Sequence, residues 1–194
     1  MSAPHAAQSR SRKPRSDAAR NRQRLLEAAK ASFARSGAAS SLEEIARAAE
    51  VGIGTLYRHF PTRDALVEAV YRDALERLSE DADRLSKAHP PLEALRQWLL
   101  LFIDYISTKK LMADLLAGLA GGAAALYATS GPRLESAIRG LVDRAVANGD
   151  IRADVEPFDL LRAVGGLGMG NAAPGWEARA RQMVDILIAG LKRH

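Results

Sequence analysis

Gly52-Ile53-Gly54-Thr55-Leu56-Tyr57-Arg58-His59-Phe60 packs two glycines and several hydrogen-bonding side chains into the length of one short helix. Thr55, Tyr57 and His59 can hydrogen-bond phosphate oxygens or touch thymine methyl groups, and Arg58 can grip a guanine edge bidentately. Helices do not favour glycine in the first turn, because it raises the entropy cost of ordering the backbone. Gly52 and Gly54 would instead let the backbone approach a partner closely, with free helix-start N–H groups directed at an anionic oxygen. Chemistry of the catalytic kind finds little support. Besides His59 the histidines are His5, His89 and His194. No pair has a metal-ligand spacing, and no Ser-His-Asp or carboxylate-dyad pattern is visible. No catalytic residue, metal or cofactor is expected.

The distribution of charge agrees with an anionic partner. Residues 1–63 carry twelve Lys and Arg against five Asp and Glu, a net of +7, while residues 64–194 carry sixteen against eighteen, a net of −2. A basic N-terminal third on a mildly acidic body implies a polyanion held at one end. The chain of 194 residues is 47% hydrophobic and 26% charged, enough for a packed core. It has no cysteine, which excludes disulfides and thiolate metal sites and fits a reducing compartment. The N-terminus lacks the apolar core of a secretory signal. The longest uncharged run, Leu115 to Pro132, is rich in small residues and falls short of a ~20-residue membrane span. A soluble cytoplasmic protein that does not contact membranes is expected.

The elements that must position the nine residues follow from helical spacing. Residues 1–16 form a basic arm expected to be disordered. From Asp17 a helix carries Leu25, Leu26, Ala29 and Phe33 inward and stops at Gly37. Ser41 then stands three residues before Glu44, a capping-box spacing, at the head of a short helix with Leu42, Ile45, Ala46 and Ala49 inward. A second short helix follows to Phe60, with Ile53, Leu56 and Phe60 expected inward, and Pro61 ends it. A longer helix starts near Thr62 and reaches His89. Helices are expected over roughly 91–107, 110–129, 132–147, 156–169 and 176–192, punctuated by Gly-Pro, Asn-Gly-Asp and Ala-Pro-Gly. No segment alternates with period two. The fold class is all-α, about nine helices, with two short helices joined by a tight turn as a helix-turn-helix.

The stretch from Leu25 to Tyr71, above all EEIARAAEVGIGTLYRHFPTRDALVEAVY, resembles the DNA-binding domain of the TetR (tetracycline-repressor) family. The resemblance implies a homodimer that places two N-terminal domains on a palindromic operator in double-stranded DNA. It implies phosphate contacts at Ser41, Tyr57, His59 and Arg63, and base-edge approach at Ile53, Gly54 and Thr55. Two positions depart from the family pattern. Glu50 occupies the place of a turn glycine, at a cost of roughly 1 kcal/mol if its backbone is left-handed. Ile53 occupies the place of a polar base reader and can meet only a methyl group, which leaves more of the readout to Arg58 and DNA shape.

The body carries aromatic and methionine residues at helical spacing, for which burial in the core is the simpler account. GLAGGAAALYATSG and GGLGMGNAAPG are small-residued for a packed bundle, and small walls leave either close helix contact or an empty volume. With the family resemblance, a cavity for a mostly apolar small-molecule effector is expected, lined by Trp98, Phe102, Tyr105, Met112, Leu116, Tyr127, Met169 and Asn171. The last two helices have wide apolar faces, and family architecture implies that they meet a twofold mate through Phe158, Leu161, Val164, Trp176, Met183, Leu187 and Leu191. The reading is a ligand-responsive repressor, with DNA binding in 17–63 and effector binding and dimerisation in 64–194. The competing reading is an effector-independent architectural DNA-binding dimer.

Overall fold

In the computed structural model, which describes residues 13–119, 122–152, 154–169 and 175–192, every regular element is helical apart from one isolated bridge between Ile151 and Lys192. In chain order the helices are α1 Lys13–Ser36, α2 Leu42–Ala48, α3 Ile53–His59, α4 Arg63–Ala88, α5 Pro91–Leu111, α6 Ala113–Ala117, α7 Gly122–Ala147, α8 Pro157–Met169 and α9 Trp176–Leu191, with a 3-10 turn at Gly37–Ala39. Contacts divide the chain into two units, Met1–Leu66 and Val67–His194. Among the described residues no helix is long and apolar enough to cross a membrane.

The first unit is built on α1, against which α2 and α3 pack. Leu25, Leu26, Ala29 and Phe33 of α1 are buried with Ile45, Ala46 and Ala49 of α2 and with Leu56 and Phe60 of α3. The helix α1 begins at Lys13, earlier than Asp17, so residues 13–16 of the expected disordered arm are helical. Residues 1–12 of that arm lie outside the described part.

The second unit is organised around α5, which packs against α7, α8 and α9. Trp98, Leu99 and Ile103 of α5 are fully buried. The indole N–H of Trp98 donates to the carbonyl of Leu78 on α4 at 2.7 Å, which satisfies a polar group that burial would otherwise penalise. Two ion pairs tie α5 to α9, Arg96 to Asp185 at 2.6 Å and Arg181 to Asp104. The hydrogen bond that Arg96 donates to the Asp185 carboxylate holds the guanidinium above its ordinary pKa.

The expected boundary at Gly131-Pro132 is not one. The helix α7 runs through Pro132, and the break lies earlier, between the five-residue α6 and Gly122. A proline inside a helix removes one backbone bond and crowds the carbonyl four residues before it. Here that residue, Ala128, is exposed, so water can reach its carbonyl.

Candidate functional site

The α2–α3 pair is set by three local devices. Ser41 caps α2 by accepting from the backbone N–H of Glu44 at 3.4 Å. The reciprocal bond comes from Glu43 rather than Glu44: the Ser41 hydroxyl donates to the Glu43 carboxylate at 2.8 Å. The backbone N–H of Glu43 and the Ser41 hydroxyl together hold that carboxyl below the usual glutamate range. At the other end α2 closes in a Schellman motif, with Val51 N–H bonded to Ala46 O and Glu50 N–H to Arg47 O, both at 3.0 Å. This requires a left-handed residue, and Glu50 supplies it at φ 54°. The cost of a side chain there is incurred at the place where the family pattern has glycine. The Glu50 carboxylate pairs with Arg24 at 3.0 Å, an exposed contact that offsets little of it.

Gly52 then opens α3 with no side-chain cap. A Cβ built on Gly52 or on Gly54 would meet nothing within 4 Å, and neither glycine has a positive φ. Nothing in the fold therefore asks for glycine at either position. The outer face of α3 presents Ile53, Gly54, Tyr57 and Arg58, with Thr55 and His59 half-buried beside them. Ile53, expected inward from its spacing, is 37% exposed and faces out, while Leu56 and Phe60 alone anchor the helix. The apolar side chain at the helix start is thus displayed beside the two bare positions.

Arg63 is engaged inside its own unit. Its guanidinium donates to the carbonyls of Ser40 at 2.6 Å, Ala38 at 2.9 Å and Gly37 at 3.3 Å. It also lies over the Phe33 ring, 5.5 Å from the centroid. An arginine with three of its donors on backbone carbonyls is a staple for the 3-10 turn, with Ser41 and α2 next in the chain. The residue expected to meet phosphate thus has its donors on the chain's own carbonyls in this structure. Nothing local in the sequence signals this, because the acceptors lie 23 to 26 residues earlier.

A capped helix, a tight turn and a short helix with a bare, polar outer face make the helix-turn-helix geometry complete. The same assignment comes from comparison with known proteins. Residues 25–70 match the family model "Bacterial regulatory proteins, tetR family", and residues 90–193 match "Transcriptional regulator SbtR-like, C-terminal domain". The chain belongs to the TetR family of transcriptional regulators. Its fold is similar to the TetR transcriptional regulator SCO0520 of Streptomyces coelicolor, at 40% identity and TM-score 0.79, covering 88% of this chain and 98% of that one. The TetR transcription regulatory protein of Mycobacterium vanbaalenii is similar at 32% identity and TM-score 0.75, covering 92% and 99%. Among curated proteins, the "Probable acrEF/envCD operon repressor" of Escherichia coli (strain K12) is 30% identical over 99 residues, half of this chain and 45% of that relative's length.

The body of this TetR regulator contains a cavity of about 700 Å³ among α5, α6, α7 and α8. Of the expected lining, Phe102, Tyr105 and Leu116 are on its wall. Trp98 and Met112 are not; they are buried in the core, Trp98 stacked behind Phe102 with ring centroids 6.0 Å apart. The side chains of Tyr127 and Met169 and the whole of Asn171 lie outside the described residues. Spacing did not suggest Ile106, Lys109, Lys110 and Arg162, all of which line the cavity. Continuing the Phe102–Tyr105 stripe along α5 in steps of three and four would have reached Ile106, Lys109 and Lys110, whereas Arg162 comes from α8 and no local spacing points to it. The Tyr105 hydroxyl is hydrogen-bonded to that of Tyr71 on α4, at 2.8 Å and buried.

The expected dimer residues divide. Leu161, Val164, Trp176 and Leu191 are buried against the chain's own helices and are corrected to core. Phe158 and Leu161 also line the cavity. Met183 is exposed and Leu187 half-buried. The outward apolar face is Leu167 on α8 with Met183 and Ile186 on α9, the last 55% exposed, and of these Met183 is among the expected interface residues. Ala163, Gly166 and Gly190 continue that face with small exposed residues.

Proposed function

We propose that this regulator is a cytoplasmic repressor, without enzymatic activity, that binds a palindromic operator as a homodimer and is released by a small molecule. The observation that carries the DNA-reading part is the bare start of α3. Two glycines sit where the fold leaves open space for a side chain, at positions where they weaken the helix. An external surface that must come within contact distance of the backbone explains them. In this reading Gly52, Ile53, Gly54 and Thr55 approach base edges. Ser41, Tyr57 and His59 position the unit on phosphates, and Arg58 supplies the bidentate guanine contact. Selecting bound sequences from a random DNA pool tests it. A twofold-symmetric site is expected, and sequence-independent retention would contradict it.

Dimerisation is assigned to the α8–α9 face around Leu167, Met183 and Ile186. These are large apolar side chains exposed on adjacent helices, bordered by small residues that permit close helix approach. The architectural alternative has no use for a cavity of this size with an apolar wall, and the cavity favours a sensor. A mechanical route is available within the second unit. Tyr105 lines the cavity and bonds Tyr71 on α4, the helix that begins with Arg63. A ligand that displaces Tyr105 would bias the position of α4, and through it the equilibrium between DNA-binding and released forms.

A further inference from the structure

Among the described residues four polar side chains line the cavity, Tyr105, Lys109, Lys110 and Arg162. The Tyr105 hydroxyl is hydrogen-bonded to Tyr71, and the other three polar groups are cationic. No Asp or Glu is among the described lining residues. The segments outside the described residues contain no Asp or Glu, so none can supply one. Of the nearby acids, Asp104 pairs with Arg181 and Glu177 accepts from Ser107, while Asp159 pairs with Arg162 itself and Asp114, beside Ala113, is exposed. Arg162 is thereby partly neutralised, whereas Lys109 has no ion-pair partner among the described residues. Lys110 lies over the Trp176 ring, 5.0 Å from the centroid, a contact that leaves its charge uncompensated.

The rest of the wall is Phe, Ile, Leu, Ala and Gly. Both lysines are half-buried lining residues, with aliphatic stems that extend the apolar wall and ammonium groups that bring charge to it. From this cationic, otherwise apolar lining we propose that the effector is an amphipathic anion, an apolar body ending in one carboxylate or comparable acidic group held by Lys109 and Lys110. The inference rests on the reading of this cavity as the effector site. A neutral apolar molecule would leave two ammonium groups unmatched beside it, and a cationic amphiphile would meet repulsion.

The test is calorimetric titration of the full-length protein with dodecanoate, dodecanol and dodecylamine, each below its micellar concentration. Dodecanoate is expected to bind at least about tenfold more tightly than dodecanol, and dodecylamine most weakly. The Lys109→Ala/Lys110→Ala protein should bind the acid no better than the alcohol, with the alcohol unaffected. Should that variant not fold, salt serves instead. The acid-over-alcohol preference of the unaltered protein must shrink between about 50 mM and 500 mM NaCl, and a constant preference overturns the proposal. Alcohol or amine binding as tightly as acid overturns the anion inference while leaving the cavity as a binding site. If none of the three binds, or if Ala117→Trp, which adds bulk to the cavity wall, binds them all unchanged, the effector-site reading fails and the inference with it.

Discussion

The two units use small residues for opposite purposes. In the first, Gly52 and Gly54 stand on a surface where the fold would accept larger side chains, and the space they leave lies outside the protein. In the second, Gly165 lies 4.0 Å from the Phe102 ring when given a Cβ, and with Gly166 and Ala117 it lines a cavity inside the bundle. The same residue type thus borders open solvent in one place and a partly open cavity in the other. What distinguishes them is the surroundings. Around α3 the neighbours are polar and the backbone is uncapped, while around the cavity they are aromatic and aliphatic with three cationic side chains among them.

The largest effect that would sharpen this comparison is expected at Ile186, on neither the reading surface nor the cavity wall. Ile186→Asp should give folded monomers by analytical ultracentrifugation and lower operator affinity by a hundredfold or more, roughly the loss of an intramolecular second contact. Dimers at low concentration would remove the α8–α9 face from the interface. Next is Arg63→Ala, which leaves three backbone carbonyls without their donor. Stability should fall by about 1–3 kcal/mol in urea titration. The salt slope of DNA binding should stay unchanged, where a phosphate contact would flatten it by about one unit.

Within the second unit, Tyr105→Phe removes the hydrogen bond to Tyr71 for about 1 kcal/mol of stability. Effector affinity should persist, and the effector's ability to release DNA should weaken. An unchanged release would show that the hydroxyl pair does not transmit. The smallest effect concerns pH. The Glu43 carboxyl is held below its ordinary pKa, so its stabilising contribution is present above the unfolded value and fades as pH falls through the folded one. Acid titration of thermal stability should therefore show a component below the ordinary glutamate range that Glu43→Gln abolishes.

The first unit was largely legible because its signals are local. The Ser41 cap and the stop at Gly37 each depend on residues within a few positions, whereas the turn at Glu50 was flagged by the family resemblance. Where it misled, a longer-range contact decided the matter. Ile53 fits an inward spacing, but a helix of seven residues is already anchored by Leu56 and Phe60. Arg63 looks free until a loop more than twenty residues earlier folds its carbonyls onto it. In the second unit, small-residue runs announced either a void or close helix contact without saying which. Proline punctuation suggested a break at Pro132 that the exposure of Ala128, four residues earlier, makes unnecessary. The apolar faces of α8 and α9 were visible, yet periodicity alone could not separate the buried side from the outward one.

The central claim is that the start of α3 is bare for a partner rather than for the fold, and Gly54→Ala tests it most directly. Chemical denaturation and operator binding by fluorescence anisotropy are measured on the same preparation. The account predicts opposite signs: stability unchanged or raised by roughly 0.5 kcal/mol, and operator affinity reduced at least about tenfold as the new methyl group holds the backbone off the groove. An alanine variant that binds operator as tightly as the glycine protein would contradict it.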